Sequence, residues 1–82
     1  MDLQVLMRTR SSDVFERRRA VAVISGLASR LAEEYLLLLP EALPFLAELL
    51  EDPEPILQSA TQALVAQLQA LSGESLEAYL KP

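Results

Sequence analysis

An all-α fold, built as two antiparallel helical hairpins closed by a short final helix, follows from three observations on the 82-residue sequence. Apolar residues recur at steps of three and four along four segments, which places them on one side of a helix each. Turn residues punctuate those segments at short intervals, so consecutive helices lie antiparallel. The apolar 51% is mostly Leu, Ala and Val, and no segment alternates as a strand would.

Asp2 is placed to cap a first helix running to about Arg10, with Leu3, Leu6 and Met7 on one side. Ser11, Ser12 and Asp13 read as a turn and the next N-cap. A longer helix is expected from Val14 to Ala32, its inner face formed by Ala20, Val21, Ile24, Leu27, Ala28 and Leu31. Gly26 falls inside it at a cost of about 1 kcal/mol relative to Ala, which close packing of a neighbouring helix would explain. Residues 33–39 read as a junction, with room for a helical turn, and Pro40 suits the first position of a third helix reaching Glu51. Pro44, within its first turn or so, is expected to delay or kink the start. Its inner face is Leu43, Leu46, Ala47, Leu49 and Leu50. Asp52 is the expected cap of a fourth helix, from Glu54 to Leu71, with Ile56, Leu57, Ala60, Leu64, Leu68 and Leu71 inward. Gly73 supplies a left-handed stop, and Ser75 to Leu80 a closing turn.

Sliding the chain by 40 residues superposes Leu3 on Leu43, Leu6 on Leu46, Ala20 on Ala60, Ile24 on Leu64, Ala28 on Leu68 and Leu31 on Leu71. Ser12 falls on Asp52, so the turns coincide too. Short helix, turn and longer helix at a period of about 40 is the HEAT pattern. The expected architecture is therefore a HEAT-like α-solenoid fragment rather than a closed four-helix bundle: residues 1–32 as the first hairpin, 33–72 as the second, 73–82 as a capping turn. Two repeats are fewer than the three or so that stability usually requires. The chain reads as the end of a longer array, with Glu74, Ser75, Glu77 and Lys81 as its polar outer face and Leu76, Tyr79 and Leu80 folded back over the last apolar edge.

Composition narrows the chemistry. The chain has no Cys and no His, so it offers neither a thiolate nor the commonest general base and metal ligand. Glu33 with Glu34, or Glu48, Glu51, Asp52 and Glu54, are carboxylates on expected exposed faces and turns, where solvated charge is the plain reading. No glycine-rich phosphate loop occurs, and the serines have no His partner. The expectation is a protein that is no enzyme, with no cofactor, no metal and no small-molecule substrate. The longest apolar run, Tyr35 to Leu39, ends at Pro40 and is far short of the roughly 20 residues a membrane helix needs.

Net charge is −5, but residues 1–30 carry +3 and residues 31–82 carry −8. Such a split predicts a basic face and an acidic face on one small body. The basic side holds the candidate contact residues Arg8, Arg10, Arg17, Arg18 and Arg19. Without interleaved aromatics they suit phosphate backbone or an acidic partner, not base readout. The competing explanation is solvated charge and ion pairs with Asp13, Glu16 or an acid of a preceding repeat.

The stretch Glu34-Tyr35-Leu36-Leu37-Leu38-Leu39-Pro40-Glu41-Ala42-Leu43-Pro44-Phe45-Leu46-Ala47-Glu48-Leu49-Leu50-Glu51-Asp52 resembles the C-terminal segment of the HEAT repeat-containing protein 1 family. Leu71-Ser72-Gly73-Glu74-Ser75-Leu76-Glu77-Ala78-Tyr79-Leu80 is similar to that family's C-terminus, and Arg8-Thr9-Arg10-Ser11-Ser12-Asp13 with Arg17 fits the same register. The sequence departs from the family at Glu16, where an apolar residue is usual, and at Arg18-Arg19, where apolar or small residues are. The resemblance implies a scaffold of the small-subunit processome in the nucleus and nucleolus, acting in pre-rRNA processing and small-subunit biogenesis. It further implies partners among other processome proteins and preceding HEAT repeats, with backbone contact to pre-rRNA or small nucleolar RNA as a candidate role for the arginines.

Overall fold

The computed structural model describes residues 3–80, and all of its regular structure is helical. In chain order the helices are α1 (Leu3–Arg8), α2 (Val14–Arg30), α3 (Ala32–Leu50), α4 (Pro55–Ser72) and α5 (Glu77–Leu80). Helices α1 and α2 form one hairpin and α3 and α4 the second. The two stack through α2 against both α3 and α4, and α5 folds back onto α3. The result is a slab of 31 × 25 × 17 Å.

Helix α1 is shorter than expected. After Arg8 the chain continues with i→i+3 bonds, in which Thr9 N–H donates to Leu6 (3.1 Å) and Arg10 N–H to Met7 (3.0 Å). The Asp2 cap lies outside the described residues. Asp13 caps α2 as its position suggests, its carboxylate accepting the Phe15 N–H at 2.9 Å. At the other end of the chain Gly73 stops α4 at φ 74°, its N–H donating to the Gln69 carbonyl at 2.8 Å. Only glycine adopts that left-handed conformation without penalty.

The largest correction concerns residues 33–39. They form no junction but the first two turns of α3, which begins at Ala32 and runs through both prolines. Proline lacks the N–H that would reach the carbonyl four residues back, so Leu36 and Pro40 lose intrahelical partners. The helix continues because Pro40 and Pro44 are both exposed, four residues apart on its outer side, while Tyr35, Leu39, Ala42, Phe45, Leu46 and Leu49 are buried on the inner side. Burial of that stripe, at about 1.5–3 kcal/mol per large side chain, outweighs the local defect. Leu31 alone separates α2 from α3. Its N–H donates to the Leu27 carbonyl (2.8 Å) and its own carbonyl accepts from Tyr35 (2.7 Å).

The core contains Leu6, Val21, Ile24 and Ala28 from the first hairpin and Leu46, Leu57, Leu64 and Leu68 from the second. Quasi-equivalent positions behave alike: Leu6 and Leu46, Ile24 and Leu64, and Ala28 and Leu68 are each 2% exposed or less. Leu31 and Leu71 also behave alike, but contrary to expectation both are exposed, at 44% and 36%. They lie at the ends of α2 and α4, where the apolar stripe has rotated past the neighbouring helix. Ile56, in the first turn of α4, is exposed for the same end-of-helix reason, as are Leu3 and Met7 on the outer side of α1. Leu76 and Leu80 seal the C-terminal edge, but Tyr79 points outward. Lys81 lies outside the described residues. Gly26 is not a packing site, because a Cβ built there meets no atom within 4 Å.

Two buried hydroxyls return to their own helices, Thr9 to the Leu6 carbonyl (2.6 Å) and Thr61 to the Leu57 carbonyl (2.7 Å). Tyr35 differs. It is 2% exposed, and its hydroxyl is buried without a hydrogen-bond partner. Loss of solvation pushes its pKa up to about 12.

Candidate functional site: an arginine-lined edge

The five candidate arginines do not form one patch. The fold divides them by helix phase, because residues 17, 18 and 19 are successive and point about 100° apart around α2.

Arg17 turns inward. Its Nε donates to Asp52 Oδ2 at 2.8 Å, Nη2 to Oδ1 at 3.2 Å, and Nη1 to the Ser11 carbonyl at 3.0 Å. Asp52 is 6% exposed and also accepts the Glu54 N–H at 2.9 Å. One buried, bidentate pair thus joins the turn of the first hairpin to the turn of the second. This also alters the expected role of Asp52. The N-cap position of α4 is Glu54, whose side chain makes no capping bond, while Asp52 holds the preceding turn and Arg17 together.

Arg10 crosses from the first turn to α3. It meets Glu48 through Nε (3.0 and 3.1 Å) and Nη2 (2.6 Å), and its guanidinium stacks on the Phe45 ring with 4.2 Å to the centroid. Both charged groups are about half exposed, so the pair contributes on the order of 1 kcal/mol or less. Further along the helices, Gln67 of α4 accepts from the Ser25 hydroxyl (2.7 Å) and donates to the Ser25 carbonyl (2.9 Å), clasping α2 to α4.

Arg8, Arg18 and Arg19 are exposed and have no ion pair among the described residues. Arg8 and Arg19 line one groove of about 320 Å³ between α1 and α2, together with the carboxylates Asp13 and Glu16 and with Phe15, Val5, Ala20 and Val23. Arg18 lies on another, of about 290 Å³, between α2 and α4. Arg30, in the last turn of α2, adds an exposed cation that was not among the candidates. Arg10 and Arg17 pair with acids of the following hairpin and not with Asp13 or Glu16. The 40-residue period held the signal: it superposes the first turn on the second, and the two turns are what Arg17 joins.

Among the described residues no set of three or more Asp or Glu side chains is placed to hold a metal ion. Of the carboxylates singled out in the sequence, Glu48 and Asp52 are taken by arginines, and Glu33, Glu34, Glu51 and Glu54 are exposed. No helix among the described residues is long and apolar enough to cross a membrane.

Two stacked hairpins with matching buried positions, locked turn to turn, define an all-α HEAT-type solenoid segment. Sequence comparison assigns the family. The chain is 47% identical over 77 residues to an uncharacterized protein of Arabidopsis thaliana, covering 94% of the chain and 4% of that relative. It is 39% identical over 79 residues to human HEAT repeat-containing protein 1, covering 96% and 4%. It is 38% identical over 82 residues to U3 small nucleolar RNA-associated protein 10 of Schizosaccharomyces pombe, covering 98% and 5%. The chain belongs to the HEAT repeat-containing protein 1 family, in which it matches a C-terminal segment. It spans a small fraction of the length of these relatives. No family-level sequence profile and no solved structure matches it.

Proposed function

We propose that this chain is a non-catalytic scaffold segment of the particle that assembles the small ribosomal subunit, acting in nucleolar pre-rRNA processing. The observation that carries the reading is the match along nearly the whole chain to proteins named for the U3 small nucleolar RNA, at 42% identity in Phaeosphaeria nodorum and 38% in Schizosaccharomyces pombe. The geometry is in keeping with it. Three polar pairs join the chain's helices and turns, Arg17–Asp52, Arg10–Glu48 and Ser25–Gln67. Such a body works by presenting a stiff wall to other processome proteins and to preceding HEAT repeats. A tagged full-length gene product should concentrate in the nucleolus and co-precipitate U3 small nucleolar RNA. Exclusion from the nucleolus would overturn the reading.

A second reading rests on the exposed Arg8, Arg18 and Arg19, which present free guanidinium groups to the phosphate backbone of pre-rRNA or small nucleolar RNA. Replacing all three with Ala should weaken RNA binding about equally across sequences and flatten its salt dependence, because fewer counterions are released. Unchanged affinity and slope would leave them as solvated charge. Arg10 and Arg17 are kept in that experiment, since both are already bonded to acids of the second hairpin.

A further inference from the structure

The groove between α1 and α2 is the counterpart of a seat in the second hairpin that Arg10 occupies inside this chain. Moving 40 residues along the sequence carries Val5, Arg8, Ala20 and Val23 onto Phe45, Glu48, Ala60 and Ala63. The first four, with Asp13, Phe15, Glu16 and Arg19, line the open groove of about 320 Å³. Of the second four, Phe45 and Glu48 meet the first hairpin, since Arg10 stacks on Phe45 and binds Glu48, while Ala60 and exposed Ala63 line the groove of about 290 Å³ between α2 and α4. Where the second hairpin offers Phe45 and Glu48 to Arg10, the first hairpin has half-buried Val5 and exposed Arg8.

The apolar positions are conserved in kind between the two seats, but the charge is inverted. Where the filled seat has Glu48, the open seat has Arg8, which is exposed and lacks an ion pair among the described residues. Arg19 lines the same groove together with Asp13 and Glu16, so the groove as a whole is balanced and the sign at the position equivalent to Glu48 is set by Arg8 alone. We infer that the open groove receives a helical hairpin of the same repeat type that carries an Asp or Glu where Arg10 stands in this chain. The occupant is a preceding repeat of the longer family architecture, since the matched stretch is only about 4% of its relatives' length. The register follows from the filled seat. Arg10 and Glu48 are 38 residues apart, so the acid belongs 38 residues upstream of Arg8.

This inference rests on the reading that preceding repeats stack on this segment, and the test separates the two. The chain is joined, in natural order, to the two repeats of about 80 residues that precede the matched stretch in the Arabidopsis relative. Amide hydrogen exchange in α1 should slow at least tenfold relative to the unextended chain. Arg8→Glu should abolish that gain, whereas Arg18→Glu, on the other groove, should leave it. Changing the upstream acid to Arg in the Arg8→Glu background should restore protection. No slowing in any form would defeat the stacking reading itself. Slowing that survives Arg8→Glu would leave stacking intact and overturn the acidic contact, as would a neutral or basic residue at the upstream position. Self-association of the unextended chain in sedimentation, with α1 protected, would make a second copy the occupant and also overturn it.

Discussion

Arg17 and Asp52 meet across the two hairpin turns through two nitrogen–oxygen contacts, 2.8 and 3.2 Å long, with side chains 13% and 6% exposed. A pair so withdrawn from water is costly to break from one side, because the surviving charge stays buried without its partner. Asp52→Ala should therefore destabilise the chain by about 3 kcal/mol. Replacing both residues with apolar ones of similar volume should cost much less than the two single changes together. Urea unfolding of both single variants and the double variant measures the coupling. Additive losses would show that the pair does not act as a unit.

Gly26 offers the opposite case, a local cost with no compensating contact. An added Cβ meets open space, and the residue is helical without a positive φ. Gly26→Ala should raise stability by about 1 kcal/mol through helix propensity and a less disordered unfolded chain. Thermal denaturation should show a midpoint several degrees higher. An unchanged or lower midpoint would mean that the glycine serves a contact within the folded chain.

Tyr35 makes stability depend on alkaline pH. Its folded pKa is about 12 and its ordinary value 10.0, so between them the folded chain holds a proton that the unfolded chain releases. Stability from this group is complete below pH 10, falls as pH rises, and is lost through pH 12. Tyr35→Phe should remove that slope. It should also be neutral or stabilising by about 1 kcal/mol at pH 7, because it deletes a buried hydroxyl that has no partner. Denaturant midpoints at pH 7 and pH 11 test both statements.

The two ends of the slab should differ in stability. Leu76 and Leu80 cover the C-terminal edge, whereas α1 leaves Leu3 60% and Met7 49% exposed. Native-state hydrogen exchange on the chain alone should find α1 opening first and α3 with α4 last. Uniform protection in a monomer would point to a closed bundle rather than a stack.

The helix pattern, the turn at Ser11 to Asp13, the Gly73 stop and the paired buried positions were legible because each is set by local chemistry or by a period. The start of α3 was not. Pro40 carries a genuine helix-start signal, and nothing local to it says that Tyr35 and Leu39 bury deeply enough to draw residues 32–39 into the same helix. The arginines were legible as a group but not in their fates. Three successive cations on a helix must diverge, and only the second hairpin decides that Arg17 finds Asp52 while Arg18 and Arg19 stay in water. The exposure of Leu31 and Leu71 was also hidden, since an apolar stripe carries no mark of where its neighbour ends.

Leu31 has a mechanical consequence. Within each hairpin the helices are separated by turns of several residues, 9–13 and 51–54, but between the hairpins there is only this one, with its backbone bonded on both sides. Such a joint has no slack. Tension along the stack cannot be relieved by paying out loop. A rotation of α2 passes directly into α3, and the segment responds to load as a stiff hinge whose angle changes before its length does.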